Sequence, residues 1–166
     1  MASGKSALAR LLSAKLNVPS YDLDAMIEQS IGRTINQLFE ELGESRFREI
    51  ERATLLRCAS LSPAIIASGG GTPCFFNNID EMKKTGMVVF LDTSENIIMQ
   101  RLKSDKHHRP LVKKKTEEEL NHFVTQELAA RRPYYERAHL QLIIDQERPD
   151  YTALINYLKR VQRFNS

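Results

Sequence analysis

Apolar residues recur along this chain with two periods, one typical of helices and one typical of buried strands. In residues 6–17 (SALARLLSAKLN), leucines return every three or four positions, which predicts an amphipathic helix. Residues 87–92 (MVVFLD) instead form an uninterrupted apolar run, as parallel strands do when both faces of their sheet are covered. The chain therefore contains both kinds of element.

The same patterns, with the turn residues between them, predict the remaining elements. Further strands are predicted at 18–22, 64–68 and 140–145. Further helices are predicted at 25–31, 34–42, 44–60, 94–103, 116–130 and 151–161, the fifth of these opened by the capping box Thr116–Glu119. Because strands alternate with helices, the sequence predicts an α/β fold with helices packed on a parallel sheet.

Length and composition limit the class of protein. The chain has 166 residues and is 42% hydrophobic, which predicts a single domain over residues 1–166. No apolar run approaches membrane-spanning length, and the first residues lack the apolar core of a signal peptide, so we expect a cytoplasmic protein without a membrane partner. Cys58 and Cys74 have no metal-like spacing and are expected to be reduced thiols.

The charge is mild and dispersed. A net charge of +3 with scattered arginines does not indicate a nucleic-acid partner, because nucleic-acid binders usually cluster basic residues and interleave them with aromatics. The most polar segment, residues 104–115, is predicted to be a mobile lid within the domain. Its His107 and His108 have no partner at metal-ligand spacing and are expected on the surface.

The tripeptide Gly4-Lys5-Ser6 directly precedes the first predicted helix. It matches the second half of a P-loop, in which backbone N–H groups and a helix N-terminus cradle phosphate. The lysine of that motif reaches the β- and γ-phosphates, and its hydroxyl takes a Mg²⁺ position. Because the tripeptide is short, a small-residue start to an amphipathic helix is the alternative.

Two carboxylates follow the strand at 18–22. Asp22 and Asp24 are expected at the carboxyl edge of the sheet, where open α/β sheets bind ligands. One could hold Mg²⁺ and the other could accept a proton from an attacking hydroxyl. The alternative is a helix N-cap followed by a solvent-facing acid.

Three glycines, Gly69–Gly71, follow the strand at 64–68 and favour a binding loop over a flexible turn. Three arginines are ambiguous by themselves. Arg48 could pair with Glu44 on a solvated helix face, Arg109 could be a lid residue or a surface charge, and Arg131 has no distinguishing neighbour.

Taken in order, these pieces resemble the shikimate kinase family over essentially the whole chain. They are G-K-S, D-x-D, G-E-x-x-F-R-x-x-E at 43–51, G-G-G, R-P-L at 109–111 and R-x-P-x-Y at 131–135. The resemblance implies a P-loop kinase that transfers phosphate from ATP to the 3-hydroxyl of shikimate, in aromatic amino-acid biosynthesis. It also implies a monomer with shikimate as its small-molecule partner.

The resemblance assigns residues to ATP and Mg²⁺. Ser6 and Asp22 would hold Mg²⁺, while Lys5 and Arg109 would act on the transferring phosphoryl group. Residues expected to bind the nucleotide are Gly4, Lys5, Ser6, Ala7, Arg101, Arg109 and Arg148.

The resemblance also assigns a substrate site. Asp24 would bind the attacking hydroxyl and assist its deprotonation, and Arg48 with Arg131 would grip the carboxylate through guanidinium forks. Backbone contacts to the ring are expected from Gly69, Gly70 and Gly71.

The start of the chain departs from the family pattern. The family has a five-stranded three-layer α/β/α fold, and its first strand lies between those matching 64–68 and 87–92; that strand and the first P-loop glycine are not in this sequence. We expect the natural product to begin about ten residues earlier, with Met1 internal, although a misplaced start codon, a truncation and a real variant are equally compatible. The alternatives for function are a kinase-like protein impaired in ATP binding and inactive, and a kinase for another small hydroxy acid or polyol.

Overall fold

The computed structural model describes residues 2–104 and 116–164, with side chains described up to residue 161. Strands are β1 (Ser20–Asp22), β2 (Ile65–Ala67), β3 (Val89–Thr93) and β4 (Leu140–Ile144). Helices are α1 (Lys5–Leu16), α2 (Leu23–Ile31), α3 (Ile35–Cys58), α4 (Asn78–Thr85), α5 (Glu95–Ser104), α6 (Glu117–Tyr135) and α7 (Thr152–Phe164). Short 3₁₀ turns lie at Ala59–Leu61 and Thr72–Cys74.

The strands form two parallel pairs. β1 pairs with β2 in the register Tyr21 opposite Ile66, and β3 pairs with β4 in the register Leu91 opposite Leu142. Within the described ranges, no ladder joins one pair to the other. Parallel strands alternating with helices confirm the predicted α/β class.

The chain divides into two compact units. One contains residues 4–78 and 148–164, and its buried apolar side chains come from α1, α2, α3, β2 and α7, including Leu12, Ile27, Phe47, Ala67 and Leu154. The prediction of a single domain remains a prediction, and residues 105–115 of the predicted lid lie outside the described part of the chain.

The other unit contains residues 2–3 and 79–147. Its core lies between α5 and α6, where five buried side chains pack together: Ile98, Met99, Leu102, Leu120 and Val124. Among the described helices of both units, none is long and apolar enough to cross a membrane.

Most predicted elements form within a few residues of their expected bounds, and three elements differ from the prediction. The two helices expected at 34–42 and 44–60 follow one another without a loop, interrupted only by Gly43 in a left-handed conformation (φ 74°, ψ 169°). Helix α6 continues past residue 130 to Tyr135 and includes Pro133, because contacts of its last turn with β3 outweigh the preference of proline for a helix boundary. Helix α4 was not predicted.

Candidate active site

The first part of the site is the start of α1. Gly4 is its N-cap with φ 94° and ψ 13°, a left-handed conformation that favours glycine, and its carbonyl accepts the first helical hydrogen bond from Leu8 N at 2.9 Å. Lys5 and Ser6 therefore stand in the first turn, where unsatisfied N–H groups and the helix dipole favour an anion. The G-K-S tripeptide thus lies at a helix N-terminus, which is one feature of a P-loop.

Asp22 links this turn to β1. Its Oδ2 accepts a hydrogen bond from Ser6 Oγ at 2.8 Å, and its Oδ1 accepts one from Asp24 N at 3.1 Å as the N-cap of α2. The N-cap interpretation is therefore correct, and it leaves the other oxygen facing Ser6.

The pair of Ser6 and Asp22 fits Mg²⁺ by its chemistry, because both supply hard oxygen donors. Within the described residues, no group of three or more His, Cys, Asp or Glu side chains is arranged for a metal ion. An ion held here would depend on water and on substrate phosphate oxygens, as Mg²⁺ commonly does in phosphoryl-transfer sites.

Asp24 follows in the first turn of α2 and is partly buried. Its pKa is raised above the usual 3.8, first by burial and then by the negative charges of Asp22, Glu51 and Glu28, while Lys5 opposes the shift. A Cβ added at Gly69 would lie 3.3 Å from Asp24 Oδ1. Asp24 therefore lies beside the glycine loop and binds a proton more readily than an ordinary aspartate. The alternative, that Asp24 simply faces the solvent, is wrong.

Arg48 is buried, with 8% of its surface exposed. Its Nη1 donates to Glu51 Oε2 at 2.9 Å, and its Nε and Nη2 donate to Glu44 Oε1 at 3.3 and 3.0 Å. The predicted pair with Glu44 is present, but the guanidinium does not lie on a solvated face.

Aromatic rings surround the same guanidinium. Arg48 Cζ lies 5.6, 5.2 and 4.1 Å from the ring centroids of Phe39, Phe47 and Phe75. These cation–π contacts favour the charged group inside a poorly hydrated site and restrict its orientation.

The glycine loop, Gly69–Gly71, allows the side chains of Arg48 and Glu51 to approach its backbone closely. A Cβ on Gly71 would lie 2.7 and 2.8 Å from Nη2 and Nη1 of Arg48. A Cβ on Gly69 would lie 3.0 Å from both Glu51 Oε1 and Thr72 Oγ1. Side chains at these positions would therefore displace the guanidinium or its partner, which supports a binding loop over a merely flexible turn.

Glu51 is the last residue of the G-E-x-x-F-R-x-x-E pattern, but no role was predicted for it from the sequence. It is 1% exposed, accepts from Arg48, and accepts from Thr72 Oγ1 through Oε1 at 2.6 Å. Its carboxylate thus connects α3 to the glycine loop. Besides that pattern, an indication was its position on the face of α3 that also carries Phe47, Thr54 and Leu55.

The first unit therefore brings Glu51 together with six of the predicted residues, which are Ser6, Asp22, Asp24, Arg48, Gly69 and Gly71. Gly4, Lys5, Ala7 and Gly70 belong to the same unit. The other predicted residues that the structure describes do not join this network. Arg101 donates to the carbonyls of Ala2 and Glu147 at 3.2 and 3.4 Å, Arg131 pairs with Glu127, and both belong to the second unit. Arg148 is exposed in the first unit, and Arg109 lies outside the described residues.

Comparison with known proteins gives one family. The family described as shikimate kinase matches residues 1–162. A shikimate kinase of Bacteroides thetaiotaomicron is 41% identical over 138 residues, which are 83% of this chain and 79% of the relative.

Two solved structures that resemble this chain belong to the same family. A crystal structure of shikimate kinase from Bacteroides thetaiotaomicron matches this chain with a TM-score of 0.90 at 35% identity. The match covers 98% of this chain and 94% of the chain in the crystal structure. A shikimate kinase from Acinetobacter baumannii, solved in complex with shikimate, has a TM-score of 0.82 at 29% identity and covers 100% and 90% of the two chains.

Proposed function

Because the chain belongs to the shikimate kinase family, we propose that it transfers the γ-phosphoryl group of ATP to the 3-hydroxyl of shikimate through the site formed by Asp24 and Arg48. The observation that carries this proposal is that two complementary groups lie at one glycine loop. They are the half-buried carboxylate of Asp24, whose pKa is raised, and the buried guanidinium of Arg48. A carboxylate can receive a proton from a hydroxyl, and a guanidinium can bind a carboxylate. Shikimate carries both of the complementary groups.

Asp24 acts on the attacking hydroxyl. As that oxygen forms its bond to the γ-phosphorus, the bond between the γ-phosphorus and the ADP oxygen breaks, and the hydroxyl proton passes to a carboxylate oxygen of Asp24. Burial and the three neighbouring carboxylates make Asp24 a stronger proton acceptor than an ordinary aspartate. The positive charge of Lys5 opposes this increase in pKa and favours the ionised form of Asp24.

Arg48 binds the carboxylate of shikimate, and Glu51 orients it. The guanidinium offers paired N–H donors that match two carboxylate oxygens. Glu51 fixes one end of the guanidinium, and Gly71 allows its close approach to the loop backbone. We assign Arg131 as the second carboxylate-binding arginine from the family pattern R-x-P-x-Y.

The N-terminal turn of α1 binds the phosphates of ATP. Lys5 supplies a positive charge and the first-turn N–H groups supply donors. Ser6 and Asp22 would hold Mg²⁺, which when bound neutralises charge on the β- and γ-phosphate oxygens. Gly4, Ala7, Arg101, Arg109 and Arg148 stay assigned to the nucleotide by the family pattern, in a monomer that acts in the cytoplasm.

The test is product identification. The chain is incubated with ATP, Mg²⁺ and shikimate, and the products are followed by phosphorus NMR. We expect ADP and a single phosphate ester on the 3-hydroxyl in equal amounts. An ester at another hydroxyl would refute the placement of the substrate, and ADP formed equally with and without shikimate would refute the transfer reaction.

A further inference from the structure

The two carboxylates that hold Arg48 differ sharply in their surroundings. The side chain of Glu51 is 1% exposed, whereas that of Glu44 is 56% exposed. Glu51 also accepts from Thr72 Oγ1 at 2.6 Å, which ties it to the buried end of the glycine loop. Arg48 pairs with both carboxylates, and Glu44 is the one that can turn into water, because Arg48 then still pairs with the buried Glu51.

The two carboxylates also use different edges of the guanidinium. Glu51 accepts from Nη1, and Glu44 accepts from both Nε and Nη2. Nε and Nη2 form one edge with two parallel N–H bonds, the arrangement that binds a carboxylate in a bidentate manner. Glu44 therefore covers a fork on which a substrate carboxylate would bind.

We propose that Glu44 occupies the carboxylate-binding edge of Arg48 until shikimate arrives, and that the carboxylate of shikimate displaces it. This inference rests on the proposed role of Arg48 as the carboxylate-binding arginine.

The charge balance at Arg48 favours the displacement. With both glutamates in place, the guanidinium already faces two negative charges, and a bound shikimate would add a third in a site where Arg48 is 8% exposed. Like charges at short range in a poorly hydrated site repel strongly. If Glu44 leaves, the number of carboxylates on Arg48 stays at two and Arg48 is never left unpaired.

The position of Glu44 at a helix start does not depend on its contact with Arg48. Glu44 directly follows Gly43, whose φ of 74° and ψ of 169° interrupt α3. Glu44 therefore stands in the first turn of the second helical segment, where an acid is favoured by the helix dipole whether or not it contacts Arg48.

The exchange lowers the affinity of this edge for every anion. An anion must displace a carboxylate that the chain itself supplies, and this cost is the same for inorganic phosphate and for shikimate. Shikimate can offset the cost through contacts of its ring hydroxyls, which phosphate lacks.

The test compares Glu44→Gln with the matched control Glu49→Gln. Glu49 lies on the same helix, is exposed, and pairs with Arg46 instead. Shikimate binding is measured by calorimetry, together with competition by inorganic phosphate. Relative to the control, Glu44→Gln is expected to lower the Kd of shikimate about two- to fivefold, the value of a half-exposed ion pair, and to strengthen phosphate competition similarly. Unchanged or weaker shikimate binding would overturn the inference.

A second comparison separates this inference from the proposed function. Arg48→Lys, which retains the charge but not the fork, is measured with shikimate and with its carboxamide. A larger loss for shikimate supports the role of Arg48, and the result for Glu44→Gln then decides the displacement alone. Equal losses for both ligands would refute the role of Arg48 and, with it, the displacement.

Discussion

Removal of the Glu51 carboxylate is expected to destabilise the fold and the substrate site together. Truncating one partner of a buried ion pair costs about 3–5 kcal/mol, because the other charge is left unpaired. Arg48 keeps Glu44, so we expect Glu51→Ala to lie at the lower end of that range, with the hydroxyl of the buried Thr72 also losing its acceptor. Against a total stability of about 5–15 kcal/mol for a small domain, this loss is large.

The variant Glu51→Gln removes the charge of the side chain but keeps its size, so it measures the contribution of the charge alone. The amide oxygen can still accept from Thr72, and only the charged hydrogen bond from Arg48 is lost, which is worth about 1.5–3 kcal/mol. Urea denaturation followed by far-ultraviolet circular dichroism measures both variants, since the chain has no tryptophan. Glu49→Ala, which breaks an exposed pair on the same helix, is the control and should cost at most about 1 kcal/mol. If Glu51→Ala cost no more than Glu49→Ala, the structural role of Glu51 would be refuted.

Two further predictions concern the glycine loop and Asp24. Gly71→Ala should raise the KM for shikimate about tenfold, a change of about 1.4 kcal/mol, because its Cβ would meet the guanidinium of Arg48; Gly86→Ala, which meets nothing within 4 Å, is the control. Since the folded state raises the pKa of Asp24, ionised Asp24 destabilises the fold above that raised pKa, and this penalty disappears below the ordinary value of 3.8. Asp24→Asn should therefore melt at a higher temperature than the parent at pH 7, with the difference shrinking as the pH falls through the raised pKa towards 3.8; a lower melting temperature at pH 7 would show that the acid is not destabilising.

The elements that depend on short-range chemistry could be predicted from the sequence. The capping box at Thr116 forms as expected, with Glu119 N donating to Thr116 Oγ1 at 3.2 Å and Thr116 N donating to Glu119 Oε2 at 2.7 Å. The helix after Ser6 and the apolar strand near residue 90 are likewise present. In each case the determining residues lie within one or two turns of one another.

Elements that depend on distant contacts could not be predicted. Helix α6 extends to Tyr135, whose ring packs 5.0 Å from that of Phe90, and Arg132 in its last turn pairs with Asp92 at 2.9 Å. Nothing near Pro133 in the sequence announces contacts with β3. A proline ordinarily marks a helix boundary, and here tertiary packing outweighs it.

The candidate site shows the same division. Lys5, Asp24 and the glycine loop could be selected as candidates from the sequence, since their spacing resembles known phosphate- and substrate-binding patterns. The burial of Arg48 and the central position of Glu51 were not, because on a helix rich in charges the sequence does not show which face is covered. The sequence also does not show which side chains lie against the glycines of the loop.

The central claim is that Asp24 receives the proton of the hydroxyl that attacks ATP. Its most direct test is turnover by Asp24→Asn, with shikimate affinity measured in parallel. The amide keeps the size of the side chain but cannot act as a base, so kcat should fall about 10²- to 10⁴-fold, while shikimate affinity changes far less. A variant that kept the parent kcat would contradict the account.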